Sequence, residues 1–332
     1  MTDVAAAKEI AQAWWAACDA ADAAALGALV CDDLLWEGPW PAKEARSAAE
    51  IIDLWASPMR AAFPQVDRQF HILTAGVSDA REDGSADGAI WVAGAGYLVG
   101  TPVAEMLGIP AVDHELRLRW GEFVRIEDGK IVEVQMLVDL IDWFEQIGRP
   151  VLQPRGVAGV WPAATAFDAT DLGHASQGET DETLRFGRTF IYGALNVFDE
   201  EDLSSMGMAN FFHPNVKWYG PGGIGACLSL KEFEDLHQRP WLEAFPDRKL
   251  FDLRSLFAEG QMLSGSGARN VVATHTGTYQ GVEASGNTLE LSGLDFWLRT
   301  DEQFTENWVF VDMIKLFSQM GVDLMARMKD AA

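Results

Sequence analysis

The sequence predicts an α+β protein built from two tandem copies of one fold, and three observations predict it. The chain repeats itself: VQMLVDLIDWFEQIG (134–148) returns as NWVFVDMIKLFSQMG (307–321), so that Asp139, Gln146 and Gly148 fall on Asp312, Gln319 and Gly321 at an offset of 173. Upstream the offset is 182, carrying Pro58, Phe63 and Pro64 onto Pro240, Phe245 and Pro246, and Trp36-Glu37-Gly38-Pro39 onto Trp218-Tyr219-Gly220-Pro221. Separate blocks recurring in one order mark a duplication. Within each copy helical patterns precede β-type runs, the order of an α+β layer architecture. The 332 residues also make about two ordinary domains. The copies span 1–149 and 179–332, with 150–178 joining them. The two offsets differ by nine residues, which fit most naturally into GTPVAEMLGIPAVDH (100–114).

The first copy opens with an Ala-rich stretch from Asp3 to about Gly27, strong in helix formers, with Ile10, Trp14 and Ala17 at helical spacing. A second helical segment, SAAEIIDLWASPMRAAF (47–63), stops before Pro64. Four β-type runs follow: QFHILTAGV (69–77), GAIWVAGAGYLVG (88–100), HELRLRWGEFVRI (114–126) and KIVEVQMLVDL (130–140). Asp128-Gly129 between the last two is a strong hairpin signal. LIDWFEQIG (140–148) closes the copy as a helix ending at Gly148, with Pro150 just beyond. The second copy repeats this order. The joining segment is broken by Pro150, Pro154, Pro162 and several glycines, yet Val151, Leu152, Trp161 and Phe167 are too apolar for a solvated tether. It is expected to pack along a domain surface; a bolder reading has Trp161 covering a pocket.

The hairpin fixes which side chains share a face. A two-residue turn sets Glu122 opposite Gln135 and Leu118 opposite Asp139. Period-two alternation then places Trp120, Glu122, Gln135, Leu137 and Asp139 together, and in the second copy Gly293, Asp295, Trp297, Trp308, Phe310 and Asp312. Each copy thus projects two carboxylates among indoles and other apolar groups. The opposite face, with Phe123, Val134, Met136 and Val138, is apolar too. A sheet apolar on both sides needs two covers: its own helices, and either another subunit or the sister copy. A bulge would shift the register by one and exchange the faces.

Composition excludes several function classes. Lys and Arg total 25 against 50 Asp and Glu, a formal charge of −25. That disfavours nucleic acid, which needs a basic footprint, and an anionic membrane surface. No apolar run reaches the roughly 18 residues of a spanning helix, and MTDVAAAKEI lacks a signal peptide's basic start. Cys18, Cys31 and Cys227 are scattered, so a reduced, cytoplasmic chain is expected. The six histidines show no HExxH or HxH spacing, and no metal is expected. Gly220-Pro221-Gly222-Gly223-Ile224-Gly225 fits GxGxxG, but its counterpart GPWPAK (38–43) lacks the glycines and neither copy shows a βαβ unit, so a nucleotide loop is disfavoured.

The runs FPDR (245–248), THTGTYQG (274–281) and ENWVFVDMIKLFSQMG (306–321) resemble the SnoaL-like polyketide cyclases of the nuclear transport factor 2-like (NTF2-like) superfamily. The first copy is similar through AAFP (61–64), EDGKIVEV (127–134) and VDLIDWFEQIG (138–148). The resemblance covers both copies and misses only the joining segment. It implies cone-shaped (cystatin-like) domains, each a curved, mostly antiparallel sheet packed on helices around an apolar pocket. It further implies general acid/base roles for Asp312 and Asp139, a pocket position for His275, and sheet-mediated pairing. The first copy departs at the histidine, where Gly94 stands instead.

Ring closure, isomerisation and dehydration need a base beside a carbonyl and a donor for the enolate oxygen. An ordinary Asp is too acidic for this; aromatic surroundings and a second carboxylate raise its pKa. The expected enzyme is cofactor-independent and acts on a hydrophobic carbonyl compound. Asp312 is its acid/base, assisted by His275 and Asp295 and, in the first copy, matched by Asp139. Trp308, Trp297, Phe310, Tyr219, Trp218, Trp120, Glu122 and Gln135 are expected to shape the pockets. Plainer readings stand beside these: Asp139 and Asp312 precede helices and make good N-caps, His275 can be structural, and most tryptophans can be core. The alternative function is a non-catalytic small-molecule-binding pair. The copies are expected to form an intrachain pseudo-dimer, with a further homodimer open.

Overall fold

The computed structural model describes residues 3–83, 85, 87–195 and 206–331. The first half runs α1 (Val4–Ala20), α2 (Ala23–Leu29), β1 (Val30–Glu37), β2 (Glu44–Ala45), α3 (Ala48–Ile51), α4 (Ser57–Ala62), β3 (Asp67–Val77), β4 (Ile90–Gly100), β5 (Leu116–Glu127), β6 (Lys130–Val138) and α5 (Leu140–Gln146). The second runs α6 (Gln177–Phe190), β7 (Phe212–Tyr219), β8 (Ala226–Cys227), α7 (Leu230–Glu232), α8 (Arg239–Ala244), β9 (Lys249–Asp252), β10 (Ser255–Glu259), β11 (Met262–Thr274), β12 (Thr288–Thr300), β13 (Gln303–Val311), α9 (Met313–Gln319) and α10 (Leu324–Asp330). π-helical turns join α3 to α4 and α7 to α8.

Both sheets are mixed. The strand order is β2-β1-β6-β5-β4-β3 in one and β10-β11-β12-β13-β7-β8 in the other, with β9 added beside β11. Among the described residues only β1–β6 and β13–β7 pair in parallel; the other pairs are antiparallel. The opening helix is shorter than the composition suggested, because Ala21 adopts a left-handed φ of 52° and Asp22 starts a new helix by accepting the N–H of Ala24 and Ala25. The extra length of the first half lies in residues 78–89 between β3 and β4, where Gly260 and Gln261 alone join β10 to β11. Segment 100–114, expected to hold it, has a counterpart of similar length.

The hairpin turn forms at Asp128-Gly129 with φ of 49° and 75°, as a primed turn requires. Two residues later the ladder shifts: Ile126 pairs with Ile131, but Arg125 pairs with Glu133, leaving Val132 extra. The second half shifts at the matching place, between Leu298–Glu306 and Arg299–Phe304. From there on Glu122 faces Met136 and Asp295 faces Val309. The faces expected from an unbulged hairpin are therefore re-sorted. Trp120 and Glu122 keep company with Met136 and Val138; Gln135, Leu137 and Asp139 go to the other side. Likewise Gly293, Asp295 and Trp297 join Asn307 and Val309, away from Trp308, Phe310 and Asp312.

The first of these faces meets each half's own helices. The second meets the sister half: the Phe123 and Phe296 rings lie 5.2 Å apart, Thr74 Oγ1 and Ser264 Oγ lie 2.8 Å apart, and Gly121 leaves room for Phe310. Burying two apolar sheet faces against one another supplies the second cover. The joining segment packs along this seam, with Val157 bridging Ala226, Leu73 donating to Ala169 O, and Trp161 only 5% exposed. Among the described residues no helix is long and apolar enough to cross a membrane.

Candidate active site

Each half has an interior between sheet and helices, and the two interiors differ. In the first, Glu122 is 2% exposed and both carboxylate oxygens are taken: Trp14 Nε1 donates at 2.6 Å and Trp15 Nε1 at 2.9 Å. The rings of Trp15, Phe70 and Trp120 meet at 5.1–5.8 Å, and the Arg68 guanidinium sits 4.3 Å over Trp120. A Cβ on Gly94 would stand 2.9 Å from Trp120 and 3.0 Å from Trp15. This interior is occupied by its own side chains. Burial holds the Glu122 carboxyl above its ordinary pKa, against the pull of Arg68 and the two indoles.

The second interior encloses an open hollow of ≈ 160 Å³. Its walls include Phe190, Phe212, Trp218, Trp241 and Trp297, and Asp295 is the only acid among its described lining residues. β12 places Asp295, partly buried, in the wall of the hollow. Burial pushes its pKa up to about 7, opposed only by a hydrogen bond from Asn307. The Asn307 amide, 2% exposed, is itself fixed by donating to Phe296 O at 3.0 Å. His237 lines the same hollow, stacked 4.3 Å from Trp218 at 18°. Burial and the Arg248 charge push its pKa down to about 3, so the ring is neutral, and its buried Nδ1 finds no partner among the described residues. The hollow thus offers a carboxyl able to exchange a proton near neutrality and an uncharged imidazole.

Of the residues expected to act, Asp295, Trp297 and Trp218 come together here. Asp312 does not: the bulge puts it at the seam, where Oδ1 accepts Lys315 N at 2.9 Å as the α9 N-cap and Oδ2 accepts Trp40 N at 3.2 Å from the other half. Asp139 repeats the arrangement, with Oδ1 on Asp142 N at 3.0 Å and Oδ2 on Gly222 N at 2.8 Å. The glycine-rich loop therefore serves docking, since a Cβ on Gly222 would stand 2.5 Å from Asp142 N. Trp308, Phe310 and Tyr219 line the seam with Trp161, and Gln135 and Leu137 lie on its other side. His275 follows the end of β11, fully buried, its Nδ1 3.0 Å from Ser285 Oγ and 3.1 Å from Ser285 N. It clamps the loop to β12 rather than lining the hollow, and its strand equivalent in the first half is not Gly94, which pairs with Glu122 as Gly265 pairs with Asp295.

His237 was not among the expected residues. Its signal was present: at the offset of 182 it replaces Trp55, a polar ring inside an aromatic patch. Asn307 likewise replaces Val134 at the offset of 173. Among the described residues no three His, Cys, Asp or Glu side chains gather as a metal site would require.

Comparison with known proteins agrees with this architecture. A family profile described as SnoaL-like domain matches residues 11–134, and one described as SnoaL-like polyketide cyclase matches residues 191–320. The chain belongs to the SnoaL-like family, as two domains in tandem. Similar solved structures include a proposed SnoaL-like polyketide cyclase from Jannaschia sp. CCS1 (13% identity, 45% of this chain and 99% of that one, TM-score 0.39). IdmH, a proposed polyketide cyclase from Streptomyces antibioticus, is 20% identical over 42% of this chain and 96% of its own, with a TM-score of 0.35. AclR, a proposed hydroxylase from Streptomyces galilaeus, is 23% identical over 43% and 86%, also at 0.35. No curated protein matches the chain. The two SnoaL-like domains share one sheet-plus-helix architecture, and the second holds an open hollow at its centre.

Proposed function

We propose that the second domain is a cofactor-independent acid/base enzyme that cyclises, isomerises or dehydrates a hydrophobic, carbonyl-bearing small molecule, with Asp295 moving the proton. The observation that carries this reading is a single carboxyl in an aromatic hollow with its pKa raised to about 7. A base poised near the working pH combines a useful ionised fraction with enough basicity to take a carbon-bound proton. His237, neutral and in the wall of the hollow, supports a hydrogen-bond role at the developing enolate oxygen. The ≈ 160 Å³ of open space favours a substrate of one or two rings over a larger polycycle. The first domain supplies the scaffold, its own interior being filled.

Exchange of the α-protons of 2-tetralone in D₂O, followed by NMR, tests this without knowledge of the natural substrate. The enzyme-dependent rate should climb with pH and level off through an inflection near 7, as Asp295 loses its proton. An inflection near 4, the value of an ordinary Asp, would count against the assignment, and a hollow that only binds would give no exchange at any pH. Asp312→Ala is the control. It should cost about 1–2 kcal/mol of stability through the lost cap and the freed Trp40 N–H, read as a lower Tm, with the exchange rate unchanged.

A further inference from the structure

The two sheets differ at one place beside their buried acids. In the first domain β4 pairs with β5 without interruption, and Gly96 faces Trp120, whose indole helps to fill the interior. In the second domain Gly293 stands at the position of Trp120, opposite Gly267. Just beyond this pair the ladder slips: the three residues from Ala268 to Asn270 on β11 face the single Ser292 on β12 before pairing resumes at Val271–Leu291. A bulge of this kind re-aims a side chain, and here it turns Asn270 back over the bared sheet. A Cβ on Gly267 would stand 2.5 Å from Asn270 Cβ, and one on Gly293 would stand 2.7 Å from Asn270 Nδ2. The two glycines make the room that the amide occupies.

This places the amide on the face that carries Asp295. Gly293 lies two residues before Asp295 on the same face of β12, about 7 Å along the strand, and Asn270 and Asp295 both belong to the wall of the hollow. The other polar groups nearby are engaged: Asn307 donates to Phe296 O and toward Asp295, and Ser292 Oγ donates to Ala268 O. Asn270 is different. It is half-buried, its amide has no hydrogen-bond partner among the described residues, and, unlike the shut-in amide of Gln135, it keeps accessible surface.

We propose that Asn270 is a second donor to the substrate, holding its carbonyl oxygen on the β11 side of Asp295. The inference rests on the reading that Asp295 moves the proton. A hydrogen bond of ~3 Å from Nδ2 to the oxygen and a contact of ~3–3.5 Å from the carboxyl to the carbon together leave a carbonyl and its neighbouring carbon seated between the two side chains. As the proton departs, charge gathers on that oxygen, and a donor already in place stabilises it without reorganisation. The amide is uncharged, so it suits the oxygen of a neutral ketone, ester or amide. In the first domain neither the bulge nor the paired glycines exist, and the indole of Trp120 takes the space.

The affinity of 2-tetralone relative to tetralin, which lacks the oxygen, isolates this hydrogen bond, and both compounds can be titrated into the full chain by saturation-transfer NMR. The ratio should fall about fivefold or more in Asn270→Ala and in the isosteric Asn270→Asp, the worth of one hydrogen bond. Tetralin should bind Asn270→Ala as it binds the wild type. Exchange of 2-tetralone α-protons should drop about 10²-fold or more in Asn270→Ala, as for a lost oxyanion donor, with its inflection still near 7. A ratio that survives both substitutions overturns the proposal, because His237 or water then holds the oxygen. The two readings fail separately. Wild-type protein that exchanges no deuterium, while Asn270→Ala loses the ratio, would sink the catalytic reading and keep Asn270 as the group that holds the ligand. Exchange with an inflection near 7 and a ratio untouched by either substitution would do the reverse.

Discussion

Replacing Asp295 by Asn is expected to lower 2-tetralone exchange by about 10²–10⁴-fold, the usual worth of a positioned general base, and to make the protein more stable at high pH. The second effect follows from the same burial as the first. The carboxyl titrates near 7 when folded and near 3.9 when unfolded. Below the unfolded value both states are protonated and Asp295 costs nothing. As pH rises the unfolded chain ionises first, so stability falls, and the loss is complete once pH passes the folded value. The wild-type penalty above pH 7 is on the order of a few kcal/mol; the Asn variant escapes it. Denaturant midpoints of the two proteins should therefore nearly coincide at pH 4 and separate by pH 8. A difference that does not vary with pH would show that folding leaves the Asp295 pKa at its ordinary value, and the proposed chemistry would lose its base.

Arg119→Ala should be the most destabilising substitution considered, at about 3–5 kcal/mol. The guanidinium is 4% exposed and spans two buried acids, Asp139 at 3.0 Å and Asp142 at 2.9 Å, while also meeting Gly159 O and the Trp161 ring. Burial pushes the Asp142 pKa up against the pull of Arg119, so removing the cation strands a carboxyl that already ionises at a cost and leaves the buried Asp139 without its ion-pair partner. Thermal melts would show the loss directly. Arg119→Lys should recover only part of it, because an ammonium cannot bridge both acids as a planar fork does. Adding Asp139→Asn and Asp142→Asn to Arg119→Met should restore most of it. A loss below about 1 kcal/mol, the level of an exposed ion pair, would refute this account of how the joining segment is anchored.

Much of this architecture was legible in the sequence. The duplication could be read from Asp139/Asp312 and the Phe-Pro pairs because both copies keep the docking bonds of the two acids and the buried places of Phe63 and Phe245. The hairpin was legible because Asp128-Gly129 can adopt a turn with two positive φ angles. The functional face was not, and one residue per domain is the reason. Val132 and its counterpart Thr305 are bulged, and nothing in an alternating run of Val, Ile and Thr marks which residue will slip. That slip carried Asp312, Trp308 and Phe310 to the seam and left Asp295 and Trp297 inside. The loss of the first pocket was hidden for a different reason. Trp14 and Trp15 read as ordinary helix residues, and only the fold shows their indole N–H groups converging on Glu122, 107 and 108 residues away.

The Trp161 insertion has a genetic consequence. When two identical chains pair about a two-fold axis, every substitution is made twice, and a side chain that suits one side must suit its image. Fusing the partners in one polypeptide removes that coupling. Indoles can close one cavity while a histidine and an asparagine keep its image open, and one tether can line the seam without a twin. A tight-binding inhibitor of the proton-transfer chemistry should accordingly titrate to one equivalent per 36.4 kDa chain, half the stoichiometry that two matching domains would suggest.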